Sequence, residues 1–488
     1  MTEVEIAAGR LRGRRAGEVV AFGGIPYATA PRFAPPGPQA GWTGVRDAVS
    51  PGPAAPQPRR AAAKFTHGEL PATDEQCLNL NVFTPGLDDR RPVFVWLHGG
   101  GFAIGHAGAS LYSGERLAAA ADAVVVTVNY RLGSLGWLGH PDLAAAPDAP
   151  AANWGLLDQI AALEWVRDNI VAFGGDPAEV TLAGQSAGAL SAMDLLVAPG
   201  AAGLFRRVAL QSPPLGDVAQ APAVAIRWAQ ALSAAAGGTG AFDPARLREL
   251  DAERIVALHE DLLEQPEFRG TRGGALPTVD AGSLPASPVD APGASPGVEV
   301  LAGHTAQEGT FFFRAPWRPS PPPDLVPAVV AHLVEAEEPD SVLERYRERA
   351  AAAGAPDDPL SLLVEIATDA MVAGPLARWA SARAEAVGDR SAVYRYRVDH
   401  PGAGPDLGAT HTVEVPLLFG TWRDGGPGER LAGQAGGAGE VAGEMIAAWS
   451  RFVHGQGPGW APATASASDD VRVFARPAGS RPEPARAR

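Results

Sequence analysis

The sequence predicts an α/β protein built on a large, mainly parallel, twisted sheet with helices on both faces. Three observations predict it. Short, fully apolar strand-like runs alternate with helical patterns, the strands are apolar on both sides rather than alternating, and glycine-rich turns join strand to helix. The chain has 488 residues, 46% of them hydrophobic and 19% charged, which is ample for a large core and excludes global disorder.

The elements follow in chain order. Val93–Leu97 is an apolar run ending at HGGGF, and Ala123–Val128 is a second, ending at NYRLG. Between Gly155 and Phe173, the residues Leu156, Ile160, Leu163, Val166 and Ile170 fall at helical spacing. Val180–Ala183 reads as a strand leading into GQSAG and then a helix from about Ala189; Val208–Leu210 is the next strand. Residues 214–297 are Ala-, Pro- and Gly-rich, with a helical patch at Val224–Ala235, and read with 315–390 as insertion or lid regions on one catalytic domain spanning 1–475. Strands resume at Val298–Leu301 and Ala392–Val398, and a helix is expected over Val441–Val453. The Pro/Ala/Arg-rich tail 476–488 is expected to be disordered.

Charge and cysteine usage bound the function. The net charge of −15 argues against nucleic-acid binding, which leaves a basic footprint. Cys77 is the only cysteine, so neither an intrachain disulfide nor a Cys-cluster zinc site can form, and no histidine cluster shows metal spacing. The start MTEVEIAAGR is acidic where a secretion signal is basic, and no uncharged apolar run reaches the 18 or so residues of a membrane span. The expectation is a soluble cytoplasmic protein with no metal or organic cofactor, acting on a small molecule as a monomer or weak homo-oligomer.

Gly184–Gly188, GQSAG, fits G-x-S-x-G between a predicted strand and a predicted helix, the context that motif requires. A serine on so sharp a corner has its hydroxyl pushed out of the sheet, with a helix N-terminus behind it to favour negative charge. His98-Gly99-Gly100-Gly101-Phe102 supplies successive glycines whose N–H groups can be aimed at a carbonyl oxygen that becomes negative. A hydroxyl needs an imidazole to take its proton, and the imidazole a carboxylate to hold its tautomer. In the order Ser…acid…His, the segment after Val298–Leu301 offers Glu308, and that after Ala392–Val398 offers His400 and His411; spacing does not choose between these two. Phe102, Phe311, Phe312, Phe313 and Trp317 are candidates for the pocket wall, with core packing the competing assignment.

Many separate motifs occur in a fixed order: GIPYA with RFAPP, EQCLNLNVFTP, WLHGGGF, VNYRLG, NWGLLDQ, FGGDPAEVTLAGQSAGA, FRRVALQS and GATHTVEVPLLFG. Through them the chain, from about Gly24 to Trp460, resembles the type-B carboxylesterases, which include bacterial para-nitrobenzyl esterases and the cholinesterases. The resemblance implies an α/β-hydrolase fold and ester hydrolysis through an acyl-enzyme. It gives Ser186 the role of nucleophile, Glu308 the acid and His411, rather than His400, the base. It gives Gly100, Gly101 and Ala187 the oxyanion donors, and Ser212 a supporting position behind the triad. Arg32 with Glu75, and Arg131 with Asp158, resemble structural ion pairs. Departures are Gln185 where the family usually has glutamate, Gln76 where it has aspartate, a Cys77 without its partner, and a shortened segment between GIPYA and RFAPP. No tryptophan lies between Trp42 and Trp96, so a choline cage is not expected. The same machinery on carbamates, amides or a specialised ester, and a catalytically inactive binding protein of this fold, are the alternative functions.

Overall fold

The computed structural model describes residues 1–268, 276–315, 319–334, 337–402, 406–433, 436–463 and 471–475. The tail 476–488 and Trp317 therefore lie outside the described residues.

Eleven strands form the path of the main sheet: β1 (Thr2–Ile6), β2 (Gly9–Ala16), β3 (Val19–Pro26), β4 (Asn79–Thr84), β5 (Arg91–Leu97), β6 (Val124–Val128), β7 (Gly175–Gln185), β8 (Arg207–Gln211), β9 (Glu299–Thr305), β10 (Val393–Val398) and β11 (Val471–Phe474). Their spatial order is 1-2-3-4-6-5-7-8-9-10-11, with a short strand at Val45–Asp47 added beside β2. From β6 to β11 every neighbouring pair is parallel, whereas β1 to β4, and β4 with β6, pair antiparallel. The sheet is thus mostly parallel with an antiparallel N-terminal end. The composition of β5 and β6 explains their central places: Val93–Leu97 and Val124–Val128 are buried throughout, as a strand covered on both faces must be.

Helices Trp154–Asn169, Ala187–Val197, Gly374–Val387 and Ala438–Val453 pack around this sheet. One layer of core joins Val95, Val126 and Leu182 to Leu163 and Leu190; another joins Phe94, Trp96 and Ala183 to Leu418 and Trp449. Residues 214–297 carry helices Pro222–Ala235, Pro244–Glu249 and Ala252–Leu263, which share a small core around Trp228, Leu247 and Leu258. The helical stretch Pro359–Arg390 is long and apolar enough, by length and composition, to cross a membrane. It is partly buried against the protein, and Asp369 within it pairs with Arg349 and accepts from the Tyr346 hydroxyl.

A buried ion pair fixes the front of the sheet. Arg131 donates through Nε (2.8 Å) and Nη2 (2.7 Å) to Asp158, and its Nη1 is capped by the carbonyls of Pro31 (2.8 Å) and Ala34 (2.9 Å). This ties the turn after β6 to helix Trp154–Asn169. Arg32 is held by Glu75 and by the carbonyls of Leu247 and Leu250, which anchors the residue 214–297 segment to the N-terminal loops. Cys77 is buried as a free thiol.

Candidate active site

The site lies at the carboxyl ends of β5, β7, β9 and β10, where parallel strands leave room for loops to converge. Ser186 follows β7 and caps helix Ala187–Val197 with φ 56° and ψ −124°, a backbone conformation side chains rarely adopt. Two close approaches create that corner. A Cβ on Gly184 would stand 2.3 Å from the Gly188 carbonyl oxygen, and one on Gly188 would stand 2.1 Å from the Leu97 carbonyl oxygen. Glycine is required at both positions for strand, helix and the end of β5 to meet.

The loop after β5 wraps the same point. Gly100, with φ 119°, accepts through its carbonyl from Ala103 and Ile104, and a Cβ there would fall 2.0 Å from the Ile104 carbonyl oxygen. The N–H groups of Gly100, Gly101 and Ala187 have no acceptor among the described residues. An N–H without a protein acceptor can donate to an anionic oxygen. His98 stacks on Tyr130 with ring centroids 4.4 Å apart, and its Nδ1 lies 2.8 Å from the Gly99 carbonyl, so it shapes this loop from behind. We expect Gly100→Ala to lower kcat/KM much more than Gly101→Ala, because only the first meets backbone; Gly101 has nothing within 4 Å of its built Cβ. Loss of one donor costs about 10²–10³-fold, the scale for Gly100→Ala. Steady-state kinetics of the two variants check the order.

Glu308 and His411 are brought together by a tether between their loops. Gln307 and Thr410 form a parallel bridge, Gln307 N–H donates to the Ala409 carbonyl, and Gln307 Oε1 accepts from Ala409 N–H at 2.9 Å. The result is a contact of 2.5 Å between His411 Nδ1 and Glu308 Oε2, while Glu308 Oε1 accepts from Thr305 N–H at 2.7 Å. Burial pushes the Glu308 carboxyl up, but the His411 ring, the Thr305 N–H and the Ser212 hydroxyl together hold it below the usual range. An ionised Glu308 accepts from Nδ1–H, an arrangement in which Nε2 is the ring atom able to accept a proton. His400 instead places its Nε2 3.3 Å from the Ala432 carbonyl.

Ser186 and His411 border one cavity of about 350 Å³, but no hydrogen bond joins them. The Nε2 edge of His411 faces Gln185 Nε2 at 3.0 Å, and that amide also donates to Thr412 Oγ1 at 3.2 Å. Phe311 and Phe312 line the cavity and pack on the His411 ring, at 5.3 and 5.5 Å between centroids. Two of the expected wall residues are elsewhere. Phe102 is fully buried against Trp137, because its positive φ turns the chain inward after the glycines, and Phe313 points the other way into a cluster with Val326 and Leu363.

Glu414 was not among the residues singled out in the sequence. It is fully buried three residues after His411 and accepts from the Ser212 hydroxyl at 3.1 Å. Burial, and then the charge of Glu308, raise its pKa. Such a group favours folding fully only below its unfolded pKa of about 4.3, and that contribution is lost as pH rises toward the folded value. Glu414→Gln should therefore match the wild type in stability near pH 4 and exceed it at pH 8. Urea melts at the two pH values check the crossing, and an equal difference at both would contradict it. The only sequence signal for this role was a carboxylate inside an otherwise apolar run, VEVPLLF. Arg60, His67 and His259 also border the cavity, from loops and helices that carry no motif.

Among the described residues, no three His, Cys, Asp or Glu side chains are grouped to hold a metal ion. A protein-family profile described as "Carboxylesterase family" matches residues 1–467. The para-nitrobenzyl esterase of Bacillus subtilis (strain 168) is 34% identical over 422 residues, covering 84% of this chain and 81% of that protein. The phenmedipham hydrolase of Pseudarthrobacter oxydans is 35% identical over 427 residues, with the same coverage of 84% and 81%. A solved structure of a PNB esterase superposes with a TM-score of 0.80 at 30% identity, covering 97% of this chain and 96% of that one.

Proposed function

Since the chain belongs to the carboxylesterase family and is a carboxylic ester hydrolase with the α/β-hydrolase fold, we propose that it cleaves its ester through a covalent acyl intermediate on Ser186. His411, held by Glu308, takes the Ser186 proton through Nε2 as Oγ attacks the carbonyl carbon. The carbonyl oxygen becomes negative and is held by the N–H groups of Gly100, Gly101 and Ala187. His411 then gives its proton to the departing alcohol oxygen, leaving the acyl group on Ser186. Water, deprotonated by the same imidazole, attacks the acyl carbon, and His411 returns that proton to Ser186 Oγ as the Oγ–acyl bond breaks and the acid leaves.

The observation that carries this reading is that Ser186 and His411 border one cavity, with Glu308 bonded to the far side of the His411 ring, beside three N–H groups that have no acceptor among the described residues. In the structure the Gln185 amide occupies the edge of His411 that the mechanism needs. The proton transfer therefore requires that contact to be released, a tightening that catalytic sites commonly reserve for the substrate complex. A panel of p-nitrophenyl esters of increasing acyl length tests the reading. A burst of p-nitrophenol equal to the enzyme concentration supports an acyl-enzyme when deacylation is slow. Hydrolysis that survives Ser186→Ala at the wild-type rate contradicts it.

A further inference from the structure

Part of the cavity wall carries donors suited to an anion. Arg60 and His259 both border the cavity, and among the described residues no aspartate or glutamate does. The residue before the nucleophile is the neutral Gln185. Arg60 uses Nε (3.0 Å) and Nη2 (2.5 Å) in a two-pronged pair with Glu260, which lies beside His259 on helix Ala252–Leu263. That pairing fixes the guanidinium plane yet commits neither proton of Nη1.

His259 adds a second donor whose tautomer is fixed. Ser134 Oγ accepts from Trp228 Nε1–H at 3.1 Å, and among the described residues its own proton has one neighbour able to receive it, His259 Nδ1 at 2.8 Å. Burial, with the Arg60 charge adding to it, lowers the His259 pKa to about 3, so the ring is neutral near pH 7 and carries its single proton on Nε2. That Nε2 is buried and has no hydrogen-bond partner among the described residues. A carboxylate, which offers only acceptors, matches a fixed cation and an unused N–H better than any neutral group does.

We propose that Arg60 and His259 form a subsite for a carboxylate on the substrate, so that the preferred esters carry a free carboxylate remote from the bond that is cleaved. This specificity rests on the serine-esterase reading of the same cavity. The partial exposure of Arg60 makes the attraction sensitive to salt.

The test uses two pairs of esters, each member identical except for a terminal carboxylate or its carboxamide. In one pair the group is on the acyl chain, as in p-nitrophenyl monoadipate and the p-nitrophenyl ester of adipic monoamide. In the other it is on the alcohol, as in 4-acetoxybenzoate and 4-acetoxybenzamide. The readout is the carboxylate-to-carboxamide ratio of kcat/KM, taken within each protein so that any general loss of activity cancels. The expected ratio for the wild type is roughly tenfold or more in one pair, carried mainly by KM. It should shrink as salt rises from about 0.05 to about 0.5 M, and approach one in both Arg60→Gln and His259→Phe. A wild-type ratio near one in both pairs overturns the proposal, as does a ratio unchanged in Arg60→Gln. The salt series on wild type decides the matter if either variant does not fold. Hydrolysis of the carboxamide esters reads the serine mechanism separately, so failure of the subsite leaves that reading standing, and no hydrolysis of any ester removes both.

Discussion

Ser186→Ala is expected to lower kcat by about 10⁵–10⁶-fold on a p-nitrophenyl ester, close to 7–8 kcal/mol of transition-state stabilisation. The size follows from the coupling of parts. Without Oγ there is no acyl intermediate, and His411 has no hydroxyl proton to take. What remains is the positioning of an ester against the free N–H groups of Gly100, Gly101 and Ala187, which by itself supports a residual acceleration over water. Folding should be little affected, because the Ser186 side chain makes no hydrogen bond among the described residues, while the strained backbone is held by its own N–H bond to the Gln211 carbonyl at 2.9 Å. A thermal melt within a few degrees of wild type, with activity lost, is the expected pair of results. Retained activity would move the nucleophile elsewhere.

Glu308→Gln is the second large effect, about 10⁴-fold in kcat. The two carboxylate oxygens face two donors, Thr305 N–H and His411 Nδ1–H. An amide can offer an oxygen to only one of them. If the oxygen faces Thr305, the NH₂ faces Nδ1 and forces the proton onto Nε2, which disables the base. If it faces His411, two N–H groups oppose each other at Thr305 in a buried site, at a cost of about 1–3 kcal/mol. Either way the ground state is wrong. The same change removes the negative charge that, after burial, raises the Glu414 pKa. Kinetics of Glu308→Gln beside Glu308→Asp check the first part; activity of the amide variant within tenfold of wild type would contradict it.

How much of this was legible in the chain depends on how local the determining physics is. β5 and β6 are runs of buried, mostly apolar residues, so pattern alone located them within two residues, whereas β7 begins at Gly175, five residues before its buried run Val180–Ala183, because the polar start GDPAE carries no strand pattern. The sharp corner at Ser186 was legible because the glycines it needs, Gly184 and Gly188, lie two positions to either side of the serine. β11 was not, since its four residues VRVF have an exposed middle and gain their strand character only by pairing with β10. The antiparallel N-terminal end likewise depends on pairing partners far along the chain. The choice of His411 over His400 came from the resemblance, not from spacing. The structural reason is the Gln307–Thr410 bridge, a contact across 103 positions that no periodicity announces.

The pocket wall shows the same limit from the other side. Phe311 and Phe312 border the cavity while Phe313, next in the chain, turns into a separate helical core. Adjacent residues on a short helical turn point in different directions, so a run of three identical side chains cannot face one site. Phe102 follows Gly99-Gly100-Gly101 in sequence, yet it is buried against Trp137. Arg60 and His259, by contrast, reach the cavity from segments nearly 200 positions apart, brought together by the Arg60–Glu260 pair.

The covalent claim has one most direct measurement. Native protein is treated with a fluorophosphonate, digested, and the adduct located by mass spectrometry. The account predicts a single phosphonylated serine at position 186, blocked by prior incubation with an ester substrate and abolished in His411→Ala. Modification at any other residue, or none in protein that melts cooperatively, would contradict it.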